Sequence, residues 1–345
     1  MKKEMKIGIP QAMSYYNYFP YWYGFFTNLG IEIVLSNSTT KKTISDGASL
    51  VVTETCLPIK VYVGHVLNLI EKEIKNIFVP SIQSIAPKIY NCSKIRGLPD
   101  LIRNVVDKDF NLIEATYDMS EKNKTWFDFL VEIANQFDIK DLNKIEAAQN
   151  AGSIVQNNFN VMVQNGLDFN EALKYAKNGQ VIIPPKKEEK TISVALIGHG
   201  YNIYDKHVCM DVSHKLEKMD VRVYNSYQLT KEQLDGGMNC LNANLYWANQ
   251  YEMTGCAGHY FQDEKIDGII TITAFGCGPD SLMIEDIKRK AKNFSKPLLN
   301  LTIDEHTGEA GFITRLEAFC DMLYRNKRAK ILKQRQKEEE ILSRI

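Results

Sequence analysis

Short apolar runs bounded by turn residues recur along this chain, and each gives way to a stretch with helical spacing. In the first half the runs are MKIGIP (5–10), IEIVLS (31–36), NIFVPSI (76–82) and FNLIEATYD (110–118). Between them lie the helical patterns YYNYFPYWYGFFTNLG (15–30), LPIKVYVGHVLNLIEK (57–72) and LPDLIRNVV (98–106). The last opens on Pro99 and Asp100, a helix start. Strands separated by helices are joined by crossovers, so they pair in parallel and helices cover both faces of the sheet. The strand signal fades from 124 to 180, where WFDFLVEIANQF is helical in pattern. At IPPKKEEK (183–190) two prolines and five charges break the chain.

A second series follows. TISVALIGHG (191–200), DVRVYNS (220–226), IDGIITITAF (266–275) and PLLNLTID (297–304) read as strands. The stretches 208–219, 242–264 and 279–294 between them read as helices, and the tail from about 310 reads as one long, mostly charged helix. The expectation is an α/β protein with two mostly parallel sheets. Its parts are an N-terminal α/β domain (1–120), a helical connector (121–185), a second α/β domain (186–310) and a C-terminal helix (311–345).

Composition narrows the function. Lys plus Arg and Asp plus Glu are 42 each, which gives no support to a nucleic-acid or anionic-membrane partner. No stretch approaches the roughly 18 uninterrupted apolar residues of a membrane span. The N-terminal MKKEMKIGIP lacks the pattern of a signal peptide, so a cytoplasmic location is expected. Seven cysteines occur without a C-x-x-C pair, which argues against zinc-ribbon, thioredoxin and ferredoxin arrangements.

Three of those cysteines stand in loop-like punctuation. Cys56 precedes Leu57-Pro58, Cys92 stands in YNCSKIRGLPD, and Cys277 lies between Gly276 and Gly278 with Pro279 and Asp280 following. Each falls at a strand's carboxyl edge or a helix start, where open α/β sheets bind ligands. Cys209, Cys240, Cys256 and Cys320 read as packed or incidental thiols. Soft thiolates suit an iron–sulfur cluster, while the long spacings do not resemble structural zinc, and a packed core thiol is the plain alternative for each. In IGHGYNIYD (197–205) the third position of the dinucleotide fingerprint is Ile203, so that motif fails. The turn instead places His199, Tyr201 and Asn202 at the cleft between the domains. No P-loop is present, so any ATP hydrolysis belongs to another polypeptide. TIDEHTGEAG (302–311) supplies Asp304, His306 and Glu309, and with Cys277 it admits a thiol-hydrolase order.

The runs KIGIPQAMSYYNYFPYWYGFFTNLGIEIVLSNSTTKKTI, ETCLPIKVYVGHV, CSKIRGLPDLIRN, IGHGYNIYD, FGCGPDS and DEHTGEAGFITRLEAF resemble the acyl-CoA dehydratase activase-related proteins. That family is related to the 2-hydroxyacyl-CoA dehydratases and double-cubane-cluster proteins. The resemblance implies Rossmann-like domains and a 4Fe–4S cluster in the cleft, bound by Cys56, Cys92 and Cys277. Glu54, His199, Tyr201, Asn202, Gly276, Gly278, Asp280, Ser281, His306 and Glu309 are the candidate pocket residues around it. It further implies anaerobic, low-potential reduction or dehydration chemistry on a small-molecule or acyl-CoA substrate, with an ATP-hydrolysing activator as electron donor. A homodimer is compatible with it. The alternative is a non-catalytic electron-transfer or cluster-scaffold protein.

Overall fold

A computed structural model of the chain describes residues 5–86, 89–120, 124–185, 190–241 and 247–342. The first unit runs β1 (Lys6–Ile9), α1 (Tyr15–Leu29), β2 (Glu32–Leu35), α2 (Lys41–Leu50), α3 (Leu57–Glu71) and β3 (Asn76–Phe78). Three short strands follow, β4 (Ser81–Ile82), β5 (Ser84–Ala86) and β6 (Ile89–Tyr90), then α4 (Ser93–Arg96), α5 (Leu98–Val105), β7 (Asn111–Ile113) and β8 (Thr116–Tyr117). Three helices come next, α6 (Trp126–Asn135), α7 (Leu142–Gln164) and α8 (Phe169–Lys177). The second unit holds β9 (Ile192–Ile197), α9 (Gly200–Ile203), α10 (Val212–Lys218), β10 (Val221–Asn225), α11 (Lys231–Cys240), α12 (Ala248–Gln262) and β11 (Gly268–Ala274). It closes with α13 (Gly278–Ala291), β12 (Leu298–Ile303) and α14 (Glu309–Leu342).

The two main sheets have one topology. The first is ordered β2-β1-β3-β7 and the second β10-β9-β11-β12, and every pairing within them is parallel. In each sheet the strand order switches sides between its first and third strands in sequence, β1 and β3 or β9 and β11, and ligands bind outside the carboxyl ends at such a switch point. The expected mixed α/β class with parallel sheets and a long C-terminal helix is what the chain adopts.

Local differences from the sequence reading have physical causes. The third strand ends at Phe78, and Ser81–Ile82 leaves the sheet after Pro80 to pair with Thr116–Tyr117. Helix α2 went unread because its KKTISDGASL is mostly polar and buries only Thr43 and Gly47. Helix α11 is similarly polar and carries two glycines. The helix expected over 242–264 is described from Ala248 onward; 242–246 lie outside the described residues.

Two cores position the site. One gathers α1, whose Trp22 meets Phe78 edge-on at 4.8 Å, against α6, α7 and α8, so the helical segment packs on the first unit. The other is continuous across both units and joins α3, the second sheet and the start of α14. Helix α3 is set close against α2 because a Cβ on Gly47 or Gly64 would collide with the facing backbone carbonyl. Buried polar contacts then tie α3 and its neighbours to the second unit. Lys60 pairs with Glu305, and Thr39 donates to Asp205 while its hydroxyl lies 2.9 Å from His65 Nε2.

Burial pulls the His65 pKa down to about 4. The unfolded chain therefore binds the proton more readily, and this contribution to stability is present at neutral pH and lost as pH falls from about 6.5 toward 4. The prediction is that wild type loses about 2 kcal/mol more than a His65→Gln variant between pH 7 and pH 5. Denaturant unfolding at both pH values checks it, and parallel losses would contradict it.

Candidate functional site

Parallel strands place each crossover helix with its N-terminus at the sheet's carboxyl edge. Cys56, Cys92 and Cys277 are the N-cap residues of α3, α4 and α13, and His199 is the N-cap residue of α9. All four hold extended backbone angles, with φ of −63°, −61°, −83° and −63° in that order. In α3 and α13 a proline in the first turn fixes the helix start, where its missing N–H costs nothing. The turn carrying Cys277 needs Gly276, whose φ is +76°, and it lies against the turn carrying Cys56. A Cβ on Gly276 would stand 3.3 Å from the Glu54 carbonyl oxygen and 3.7 Å from Cys56 Cα. Gly278, on the other side of Cys277, has no positive φ and open space where a Cβ would go.

The three thiols act on one another. Burial pushes all three pKa values up, and the charge of Asp280 pushes each further. Cys56 also responds to Cys92, and Cys277 to Cys56. Against this, the N–H groups of Ile59, Ile95 and Asp280, each three residues past its cysteine, favour the thiolates without full capping geometry. Lys94 adds a positive charge that favours ionised Cys56 and Cys92. Tyr201 faces the group: burial, Asp280 and then the three cysteines hold its pKa well above 10, so the phenol keeps its proton.

Asp280 is 2% exposed and bonds His199 Nε2 through Oδ1 at 2.8 Å. Burial pulls the His199 pKa down, but the Asp280 charge and hydrogen bond outweigh it and the net shift is upward. Asp280 Oδ2 is buried without a protein partner, and so are both amide atoms of Asn202. Among the described residues no three His, Cys, Asp or Glu side chains are set to hold a single metal ion. A cubane has irons at several corners and reaches thiolates farther apart than one ion can. Soft sulfur donors at helix starts, with an unpaired buried oxygen beside them, fit such a group.

The other candidates divide. Glu54 is exposed and contributes its backbone to the Gly276 contact. Ser281 is exposed and donates its hydroxyl to the Cys277 carbonyl at 2.7 Å. Glu309 pairs with Lys215 at 2.8 Å on the surface. The His306 side chain is 83% exposed, and Asp304 spends its carboxylate on the His306 N–H and the Thr307 hydroxyl. The thiol-hydrolase order is thus left without an assembled base. Cys209, Cys256 and Cys320 are buried in the cores.

A cavity of about 330 Å³ opens between the units; none of the three cysteines lines it, but Tyr201, which feels the charge of all three, stands in its wall. Asn91 and Ile95, which flank Cys92, line it from the first unit, and Tyr227 and Glu252 line it from the second. Lys94 could have been read from its place two residues past Cys92. Glu252 could not, since one carboxylate inside a long helix carries no signal.

No curated protein matches the chain. Among solved structures, glucosamine-6-phosphate deaminase from Thermotoga maritima aligns over 94% of this chain and 85% of its own, at 10% identity and a TM-score of 0.20. So weak a likeness carries no argument. The family model described as CoA enzyme activase uncharacterised domain (DUF2229) matches residues 6–229, well over half of the 345. That span takes in the first unit, the helical segment and the His199 and Tyr201 turn, and the chain belongs to this CoA enzyme activase-related family.

Proposed function

We propose that this protein binds a 4Fe–4S cluster through Cys56, Cys92 and Cys277 and uses it for low-potential reduction or dehydration of a substrate held in the adjacent cavity. The observation that carries the reading is the placement of three cysteines from distant parts of the chain as N-caps of three helices, close enough for their charges to interact. A bound cubane supplies a low-potential electron and, at an iron lacking a protein thiolate, a position open to a substrate oxygen. The chain supplies the rest. N-terminal N–H groups and Lys94 offset the negative charge of thiolates and sulfides. Tyr201, which feels the charge of the three cysteines and lines the cavity, keeps its phenolic proton and so can donate to a substrate oxygen. His199 holds Asp280 in place.

The cavity that shares Tyr201 with the cysteine group favours this reading over an electron-transfer scaffold, which needs no pocket. The electron donor is an ATP-hydrolysing activator protein, in keeping with the family's activase description. An acyl-CoA is one substrate class that fits the relationship.

Anaerobic purification with iron and acid-labile sulfide analysis tests the cluster. About four irons and four sulfides per chain are expected. Alanine at Cys56, Cys92 or Cys277 should remove most of both, while alanine at Cys209 or Cys320 should leave them. A wild-type chain that takes up no iron and sulfide, or equal loss in all five variants, overturns the assignment.

The two glycines beside Cys277 give a sharper contrast. Gly276→Ala forces a side chain into the left-handed region at a cost of about 1–2 kcal/mol and displaces the Cys277 turn. It should lower both the unfolding free energy and the iron content, whereas Gly278→Ala should leave them near wild type. Equal behaviour of the two variants would contradict the assignment of the turn's constraint to Gly276.

A further inference from the structure

Glu252 is the one charged side chain in the cavity wall among the described residues; no Lys, Arg or His faces it there. Its carboxylate is positioned from both units. Ser226 Oγ donates to Oε1 at 3.0 Å, and the Tyr227 hydroxyl is near enough to favour the ionised carboxylate. Tyr227 in turn accepts from Asn17 Nδ2 of α1 at 2.9 Å. A carboxylate offers about four acceptor positions, so these contacts leave acceptors free toward the cavity. Burial raises its pKa, against the opposing effects of His199, Ser226 and Tyr227. An anion entering here meets a like charge with no Lys, Arg or His in the wall, His199 acting on Glu252 from outside it, whereas an N–H or O–H donor meets a fixed acceptor. Ile82, Leu98 and Val163 supply apolar wall for a short hydrocarbon body.

We propose that this cavity binds a small, non-anionic organic molecule through a hydrogen-bond donor presented to Glu252. If the molecule is the acyl part of a thioester, its phosphate-bearing portion stays outside. The inference rests on the preceding reading only in taking the occupant as substrate; binding itself needs no cluster.

The test is calorimetric titration of the full chain with 3-methylbutanamide and with 3-methylbutanoate, which share a skeleton and differ in charge. Wild type should bind the amide roughly tenfold or more tightly than the carboxylate. In Glu252→Gln that preference should collapse toward parity. Asn160→Trp, at an exposed position of α7 on the cavity rim, should abolish amide binding without shifting the unfolding midpoint. The proposal is overturned if neither compound binds wild type, if the carboxylate binds as well as the amide, or if the preference survives in Glu252→Gln. Unchanged amide binding by Asn160→Trp also overturns it. Iron and sulfide measured on the same preparations separate the two readings. An amide preference without a cluster removes only the cluster, and a cluster without the preference removes only this inference.

Discussion

Everything at the site depends on the geometry of parallel β-structure. Because β1, β2, β3 and β7 run the same way, the helices between them return antiparallel and begin at the sheet's carboxyl edge. The second sheet repeats the order, so its helix starts gather at its own carboxyl edge. The cavity and the four N-cap residues lie where these two edges meet. Cysteines 36 and 185 residues apart become neighbours through topology rather than through any local motif.

Holding three thiols there is an electrostatic problem that the chain addresses locally. Burial and Asp280 oppose ionisation of all three, while backbone N–H groups and Lys94 favour it. The balance favours the protonated thiols, and Asp280 Oδ2 is buried without a protein partner. An unpaired buried carboxylate oxygen is costly, and a bonding partner at Asp280 Oδ2 would remove that cost. The buried Lys60–Glu305 and Thr39–Asp205 contacts across the units keep the edges in register. Replacing one partner of such a pair would disturb the cleft more than the sheets.

The fold was largely legible because its strands are short apolar runs with turn residues at both ends. The misses, α2 and α11, are polar helices that bury little and so show weak periodicity. Cys56, Cys92 and Cys277 stood out because glycine or proline follows within a few residues, which marks a helix start. Gly278 carries the same signal, but its φ is not positive, and of the two glycines only Gly276 has a constrained backbone. His306 and Glu309 looked like site residues because polar groups crowd that turn, but their side chains point to the surface. Glu252 and Tyr227 were illegible: neither carries a local pattern, and they meet only because α12 packs beside the end of β10.

Iron-edge anomalous scattering from anaerobically grown crystals tests the central claim most directly. The account predicts one compact iron peak at bonding distance from the Sγ atoms of Cys56, Cys92 and Cys277, beside Tyr201 and at the mouth of the cavity. Iron bound elsewhere, or no anomalous peak among these three cysteines in protein kept free of oxygen, would contradict it.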